Sequence, residues 1–295
     1  MNTIMKLAAI DIGSNAIRLL IKRVIIKDGS VKHQNILLLK VPLRLGEDVF
    51  KEGRISSDKS EKLLKVIKSF KLLMEVNEVV DYRACATSAM REAKNGIEVR
   101  DLINFKAEVF IDLISGEEEA SLIFSNWKTS GLSVKKAYLY VDVGGGSTEI
   151  TLLKNGQRVE SRSFKVGAVR LLESTVKENV WNELKEFIKS IVNEKDNIVS
   201  VGSGGSITKI FKESNHNPND FISYNEIEEF VKSMASFELE ERIEKFNLKP
   251  NRADVIVLAG EIYLFVMKSA GSVNMVVPKM GVGDGIVNSL TLKHM

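Results

Sequence analysis

Asp142-Val143-Gly144-Gly145-Gly146-Ser147-Thr148-Glu149 lies directly after the apolar run Ala137-Tyr138-Leu139-Tyr140-Val141. Three glycines after a hydrophobic strand remove the Cβ atoms that would hold a ligand away from the backbone, and they open backbone angles closed to other residues. Successive N–H groups can then converge on one anion. Asp142, at the end of the strand, and Glu149, seven residues on, are hard oxygen donors of the kind that Mg²⁺ takes when it also binds phosphate oxygens. The stretch reads as a phosphate and metal cradle.

The same arrangement occurs near the N-terminus, where Ala8-Ala9-Ile10-Asp11-Ile12-Gly13-Ser14-Asn15 is again apolar strand, Asp, apolar residue, Gly and Ser. Each copy continues as a second apolar strand, Ala16–Ile21 and Ile150–Leu153, and each then meets a hairpin signal, Asp28-Gly29 and Asn155-Gly156. A third turn, Gly202-Ser203-Gly204-Gly205-Ser206-Ile207-Thr208, again stands between an apolar strand and a helical pattern. An internal duplication of this kind implies two similar α/β domains whose glycine turns face one cleft.

Composition bounds what such a pair of domains does. With 295 residues and 44% hydrophobic content the chain can bury two cores of ordinary size. Its 42 basic and 39 acidic residues, a net charge of +3, are too balanced for a dedicated nucleic-acid binder. The lone cysteine, Cys85, excludes an internal disulfide and reads as a small core residue. No apolar run is long enough for a membrane span, and no signal-peptide pattern precedes the first strand. These features fit a soluble cytoplasmic protein, without nucleic-acid or membrane partners, and are compatible with a homodimer.

The remaining pattern is mixed. Strands are expected over Lys6–Asp11, Ala16–Ile26 and His33–Val41, a polar loop over Arg44–Asp48, and an amphipathic helix over Ser56–Met74 capped by Ser57. Val79–Ala86 reads as a buried strand. Thr87–Ala93 then forms a turn into a short helix, with Arg91 in its first turn, where a cation is disfavoured unless it reaches for phosphate. Asn104–Ile114 is expected to be a strand. Ser115-Gly116-Glu117-Glu118-Glu119-Ala120 opens a helix to about Trp127, its acidic residues serving the helix dipole or, in one of the three, deprotonating a water. In the second half the hairpin returns over Val159–Val166, Gly167 starts a helix, Trp181–Val192 is helical and Asn197–Val201 is a strand. Helices follow over Ser223–Met234, Glu238–Lys245 and Arg252–Ser269, then a strand over Ser272–Val277. Gly281-Val282-Gly283-Asp284-Gly285 leads into a last helix to His294. Any hinge is expected near residues 115–125 and 278–285, and the three histidines, His33, His216 and His294, at the surface.

Asp-Ile-Gly-Ser-Asn, Ala-Thr-Ser-Ala-Met-Arg, Ile-Ser-Gly-Glu-Glu-Glu-Ala, Asp-Val-Gly-Gly-Gly-Ser-Thr-Glu and Gly-Ser-Gly-Gly-Ser, in this order and spacing, resemble the exopolyphosphatase and guanosine pentaphosphate phosphohydrolase family across the whole chain. The resemblance implies two ribonuclease H-like domains of the actin, sugar kinase and heat-shock chaperone superfamily with an interdomain cleft. The first would span residues 1–120, joined by a C-terminal helix over 285–295, and the second 121–284. It further implies Glu119 as the base that activates water, and Asp142 and Glu149 as carboxylates for Mg²⁺ or Mn²⁺. Phosphate contacts are implied for Asp11, Gly13, Ser14, Asn15 and Arg91 in the first domain, and for Gly144, Gly145, Gly146, Ser147, Thr148, Gly204, Gly205 and Ser206 in the second. The implied reaction is attack of water on a terminal phosphoryl group of polyphosphate or guanosine pentaphosphate, achieved mainly by positioning and charge neutralisation.

Two departures qualify the substrate. Relatives often carry Gly-Leu-Arg-(Glu or Asp)-Gly near the end of the second domain, and here Gly283 replaces the arginine, removing a phosphate ligand. Longer relatives also continue into helical domains that extend the polyphosphate channel, whereas this sequence stops at Met295, which points to short polyphosphates. An actin-like fold also serves ATP-dependent phosphotransferases, and the same cleft could bind guanosine tetra- or pentaphosphate as a non-catalytic sensor.

Overall fold

The computed structural model describes residues 3–126, 132–193, 196–214, 216–217, 220–278 and 281–295. The chain forms two compact units, one comprising Met1–Asn126 and Gly281–Met295, the other Trp127–Met280.

The first unit begins with three antiparallel strands, β1 (Thr3–Ile12), β2 (Ala16–Lys27) and β3 (Ser30–Pro42). The turn between β2 and β3 is Asp28-Gly29, both residues at positive φ (48° and 78°), the primed geometry that matches the twist of paired strands. Two helices follow, α1 (Leu45–Glu52) and α2 (Ser57–Val76), then β4 (Asp81–Ala86), α3 (Ser88–Glu92), α4 (Gly96–Ala107), β5 (Ile111–Leu113) and α5 (Gly116–Ser125). β4 pairs with β1 and β5 with β4, both parallel, so the sheet order is β3-β2-β1-β4-β5. The core lies between this sheet and the helices: Ile10, Ile12 and Leu19 meet Leu63, Ile67 and Phe70 of α2 and Ile103 of α4. Cys85 is fully buried in β4, and burial pushes its thiol up to about 12.

The second unit repeats the plan. β6 (Tyr138–Val143), β7 (Thr148–Lys154) and β8 (Gln157–Phe164) are antiparallel, with Asn155-Gly156 at positive φ in the β7–β8 turn. After α6 (Ala168–Leu172) and α7 (Asn179–Ile191), β9 (Val199–Ser203) pairs parallel to β6. Then come α8 (Gly205–Glu213), β10 (Phe221–Ser223), α9 (Tyr224–Ala235), α10 (Leu239–Lys245), α11 (Pro250–Ala253), α12 (Ile256–Ala270) and β11 (Asn274–Val276). β11 lies parallel to β9 and antiparallel to β10, giving the order β10-β11-β9-β6-β7-β8. Apart from the added edge strand β10, the topology is that of the first sheet, and the ribonuclease H-like plan occurs twice. α12 is apolar nearly all round and correspondingly buried, from Ile256 to Ala270.

The chain then returns to the first unit as α13 (Val282–Lys293), which packs on β1, β2, β4 and α5. A Cβ at Gly285 would lie 1.9 Å from the Leu122 carbonyl oxygen, so the two helix backbones touch there. Asn126 Nδ2 donates to the Gly281 carbonyl (3.0 Å) and Asn288 Nδ2 to Asn126 Oδ1 (2.9 Å). Asp284 accepts from the Gly281 N–H (2.9 Å) through one oxygen and pairs with Lys22 Nζ (2.5 Å) through the other. A Cβ at Gly283 would face Leu20 and Ala9 of the sheet at 3.5–3.9 Å.

Several expectations need correction. Arg44–Asp48 is not a loop: Arg44 takes a left-handed conformation (φ 52°) that turns the chain out of β3, and Leu45 and Val49, one turn apart, bury as α1. Asn104–Ala107 is helical rather than extended because Val99, Ile103 and Ala107 form the buried stripe of α4, leaving only Ile111–Leu113 as strand. The cap of α2 is Ser56, whose hydroxyl accepts from Lys59 N, not Ser57. The expected helix over Arg252–Ser269 breaks into α11 and α12. His33 is half-buried against Thr291, not at the surface. Trp127, the expected end of the helix after Ser115, lies outside the described residues, as do Lys279 and Met280 of the second expected hinge segment. Among the described residues no helix is long and apolar enough to cross a membrane.

Candidate functional site

In the first unit the turn between β1 and β2 holds three of the implied phosphate contacts, Gly13, Ser14 and Asn15, with Asp11 just before it in β1. Gly13 N donates to the Ala16 carbonyl (3.2 Å), which closes the turn. Ser14 is buried and shares a hydrogen bond with Ser88 (2.8 Å) at the start of α3, while Thr87 N donates to the Ile12 carbonyl (3.1 Å). On the other side Gly46 N donates to Ser14 O and Arg44 N to Asn15 O. The turn is thus clamped between α1 and α3. Asp11 is buried directly opposite Arg18 in the β1–β2 ladder and pairs with its guanidinium at 2.5 Å. Arg18 was not singled out from the sequence, although the two positions follow from a short hairpin.

Arg91 and Glu119 come together in this unit. Arg91 sits in the last turn of the five-residue α3, not the first, so its placement does not oppose the helix dipole. Its Nη1 donates to the Ile114 carbonyl (2.6 Å) and lies 3.9 Å from Glu119 Oε2. The three acids at the start of α5 have separate environments. Glu117 is exposed, Glu118 is held by Arg83 (2.6 Å), and Glu119 is buried at 7% exposure beside Arg91. Ser115 caps the helix through Glu118 N (3.1 Å), which fixes the turn carrying all three.

In the second unit Asp142 and Glu149 face each other across the β6–β7 ladder, their carboxylate oxygens within 4.8 Å. Glu149 is 3% exposed and its Oε1 accepts from the hydroxyls of Ser147 (2.7 Å) and Ser163 (2.8 Å), which fixes the carboxylate. Two close, oriented carboxylates form a hard oxygen donor set, and they fit a divalent cation such as Mg²⁺.

Between them the glycine loop has its carbonyls turned to one side. Gly144 O accepts from Ala168 N, Gly145 O from Val169 N and Arg170 N, and Gly146 O from Arg170 Nε (2.9 Å). Among the described residues, the N–H groups of Gly145, Gly146 and Ser147 have no protein acceptor. Such a row of inward-tied carbonyls and outward amides is an anion-binding concavity. A Cβ at Gly167 would meet the Gly145 backbone at 2.6 Å, so α6 packs against the loop with no space for a side chain. The Thr148 hydroxyl donates to the Val166 carbonyl (2.6 Å) and serves this packing.

The third glycine turn joins the same unit. Gly204 has φ 111°, a conformation that side chains strongly disfavour, and it leads into the N-terminus of α8. Ser206 Oγ accepts from Arg252 Nη1 (2.9 Å). Tyr263, fully buried in α12, donates to the Ser203 carbonyl and accepts from Val143 N (3.4 Å), so it ties the ends of β6 and β9 together. Burial first, and the Asp142 charge next, hold its hydroxyl well above the usual tyrosine range. Arg170, Arg252 and Tyr263 escape sequence reasoning because each lies far along the chain from the turn it supports. The buried stripe of an all-apolar helix interrupted by a tyrosine was the available signal for Tyr263.

Residues 24–294 match the sequence model of the Ppx/GppA phosphatase family. The chain belongs to that family. A Ppx/GppA family member from Aquifex aeolicus is 29% identical, with a TM-score of 0.80 over 99% of both chains. Among curated relatives, a bifunctional 3-dehydroquinate synthase/phosphatase of Fusobacterium nucleatum is 29% identical over 219 residues, 68% of this chain and 33% of that protein. A guanosine-5'-triphosphate,3'-diphosphate pyrophosphatase of Vibrio parahaemolyticus is 30% identical over 213 residues, 68% of this chain and 42% of that protein. The chain therefore spans between a third and a half of the length of these curated Ppx/GppA relatives.

Proposed function

We propose that this protein hydrolyses the terminal phosphoanhydride bond of short inorganic polyphosphate, guanosine pentaphosphate or both, by attack of water on the terminal phosphorus. The observation that carries this is the loop Gly144–Ser147, in which the N–H groups of Gly145, Gly146 and Ser147 lack a protein acceptor among the described residues, set between two carboxylates whose oxygens lie within 4.8 Å of each other. The loop amides bind phosphate oxygens in this scheme. A divalent cation held by Asp142 and Glu149 would offset charge on the phosphate oxygens. Glu119 takes a proton from the attacking water, and Arg91, beside it, contacts the phosphoryl group or holds the carboxylate in place. Support for Glu119 over its two neighbours comes from its burial and from the engagement of Glu118 by Arg83.

The test is phosphate release by the purified protein with Mg²⁺ and with EDTA, offered short-chain polyphosphate, long-chain polyphosphate and guanosine pentaphosphate in parallel. Glu119→Gln is expected to keep binding and lower turnover by about a hundredfold or more, the scale of a lost general base. Near-normal turnover in that variant would refute its role. No release from any substrate, with alarmone binding intact, would identify a sensor instead.

A further inference from the structure

The first unit carries a groove of about 490 Å³ apart from the turns described above, between the end of β3 and the outer face of α2. Its apolar floor is Val41, Pro42 and Leu43, continued by Val66 of α2. Along one wall stand Lys59, Lys62 and Lys65. At a rise of 1.5 Å per residue the three lysines are spaced about 4.5 Å apart along the helix axis and cover about 9 Å.

Their charges are unequally committed. Lys59, 15% exposed, is fixed by Asp48 (2.6 Å), Glu47 (3.0 Å) and the Arg44 carbonyl (2.7 Å), and forms the closed end. Among the described residues Lys62 pairs only with Asp58, one turn earlier, at 57% and 68% exposure. Exposed pairs at this spacing contribute a few tenths of a kcal/mol and yield readily to a stronger anion. Lys65 has no carboxylate within ion-pair distance among the described residues. The groove thus offers two available ammonium groups over an apolar floor, in a volume suited to a small organic anion.

We infer that this groove binds a nucleoside oligophosphate, with the flat base on Val41–Leu43 and Val66 and the phosphates along Lys62 and Lys65. An inorganic oligophosphate would leave the apolar floor unmatched, and an uncharged nucleoside would leave the lysines unmatched. Nothing in this inference depends on the hydrolytic role proposed above.

Isothermal titration of GTP, tripolyphosphate and guanosine against wild type and K62E/K65E tests it. Both lysines are exposed and outside the helix core, so the double variant should fold, and circular dichroism checks that it does. GTP is expected to show in wild type a binding step that weakens at least tenfold in K62E/K65E, while phosphate release from polyphosphate is unchanged. In Val66→Asp, which charges the floor but keeps the lysines, GTP should weaken while tripolyphosphate does not. A GTP isotherm unchanged in K62E/K65E would overturn the assignment, as would Val66→Asp weakening tripolyphosphate as much as GTP.

Discussion

Gly167→Ala places a methyl group where the structure has none to spare. The new Cβ would lie 2.6 Å from the Gly145 carbonyl carbon and oxygen, against an ordinary closest approach of 3.4 Å, so loop or helix must retreat by about 0.8 Å. The atoms in contact are backbone, which cannot rotate away as a flexible side chain would. Overpacking of this kind costs about 1–3 kcal/mol. The displacement falls on the loop whose amides are proposed to hold phosphate, and a misplacement near 1 Å in such an element costs about a hundredfold in rate. Urea denaturation followed by circular dichroism should show the modest loss of stability, and phosphate release the much larger loss of turnover. Gly281→Ala is the control, because no atom lies within 4 Å of its new Cβ. Equal turnover in Gly167→Ala and wild type would show that the loop position does not govern the chemistry.

Further outcomes follow from other sites. Tyr263→Phe removes the partner of two buried backbone groups, Ser203 O and Val143 N, at about 1–3 kcal/mol each, so urea denaturation should register a loss of about 2–6 kcal/mol. Lys22→Met leaves Asp284, whose side chain is 22% exposed, without its cation, and should cost about 1–3 kcal/mol. Adding Asp284→Asn should recover part of this, since Asn still accepts from Gly281 N–H. Because burial raises the Cys85 thiol from 9.0 to about 12, the unfolded chain loses that proton first, and stability should fall as pH rises from about 9 toward 12. Cys85→Ala should flatten that limb of the denaturation profile, and native protein at pH 8 should resist iodoacetamide until urea unfolds it.

The duplicated plan was legible because its signals are local. Asp28-Gly29 and Asn155-Gly156 can hardly do anything but turn a hairpin, and an apolar strand ending in glycines announces its own loop. What was hidden depended on distant partners or on one backbone angle. α1 hinges on Arg44 accepting a left-handed conformation, which nothing in Arg-Leu-Gly-Glu-Asp advertises. The strand expected at Asn104 failed because Ile103 and Ala107 continue a helical stripe whose meaning appears only once α4 lies on the sheet. At the site, the carboxylates and glycines were readable from spacing. Their supports were not: Ser163 reaches Glu149 across a ladder, and Arg170 reaches Gly146 from 24 residues away. The residue pattern alone left Glu117, Glu118 and Glu119 open and only the family resemblance singled out Glu119; that Arg83 of β4 holds Glu118 could not be read from the chain.

The placement of α13 sets an order on biosynthesis. Its residues complete the first unit, yet the ribosome makes them only after the whole of Trp127–Met280. At about 5–20 residues per second, that interval lasts on the order of 8–30 s. Until it ends, the surfaces of β1, β2, β4 and α5 that α13 covers stay open, including Leu122, whose carbonyl Gly285 will touch, and Lys22, still without Asp284. The second unit can fold on the ribosome as a continuous stretch, while the first waits for the last helix. Nascent chains stalled before Gly281 should therefore be the ones that chaperones hold and proteases cut.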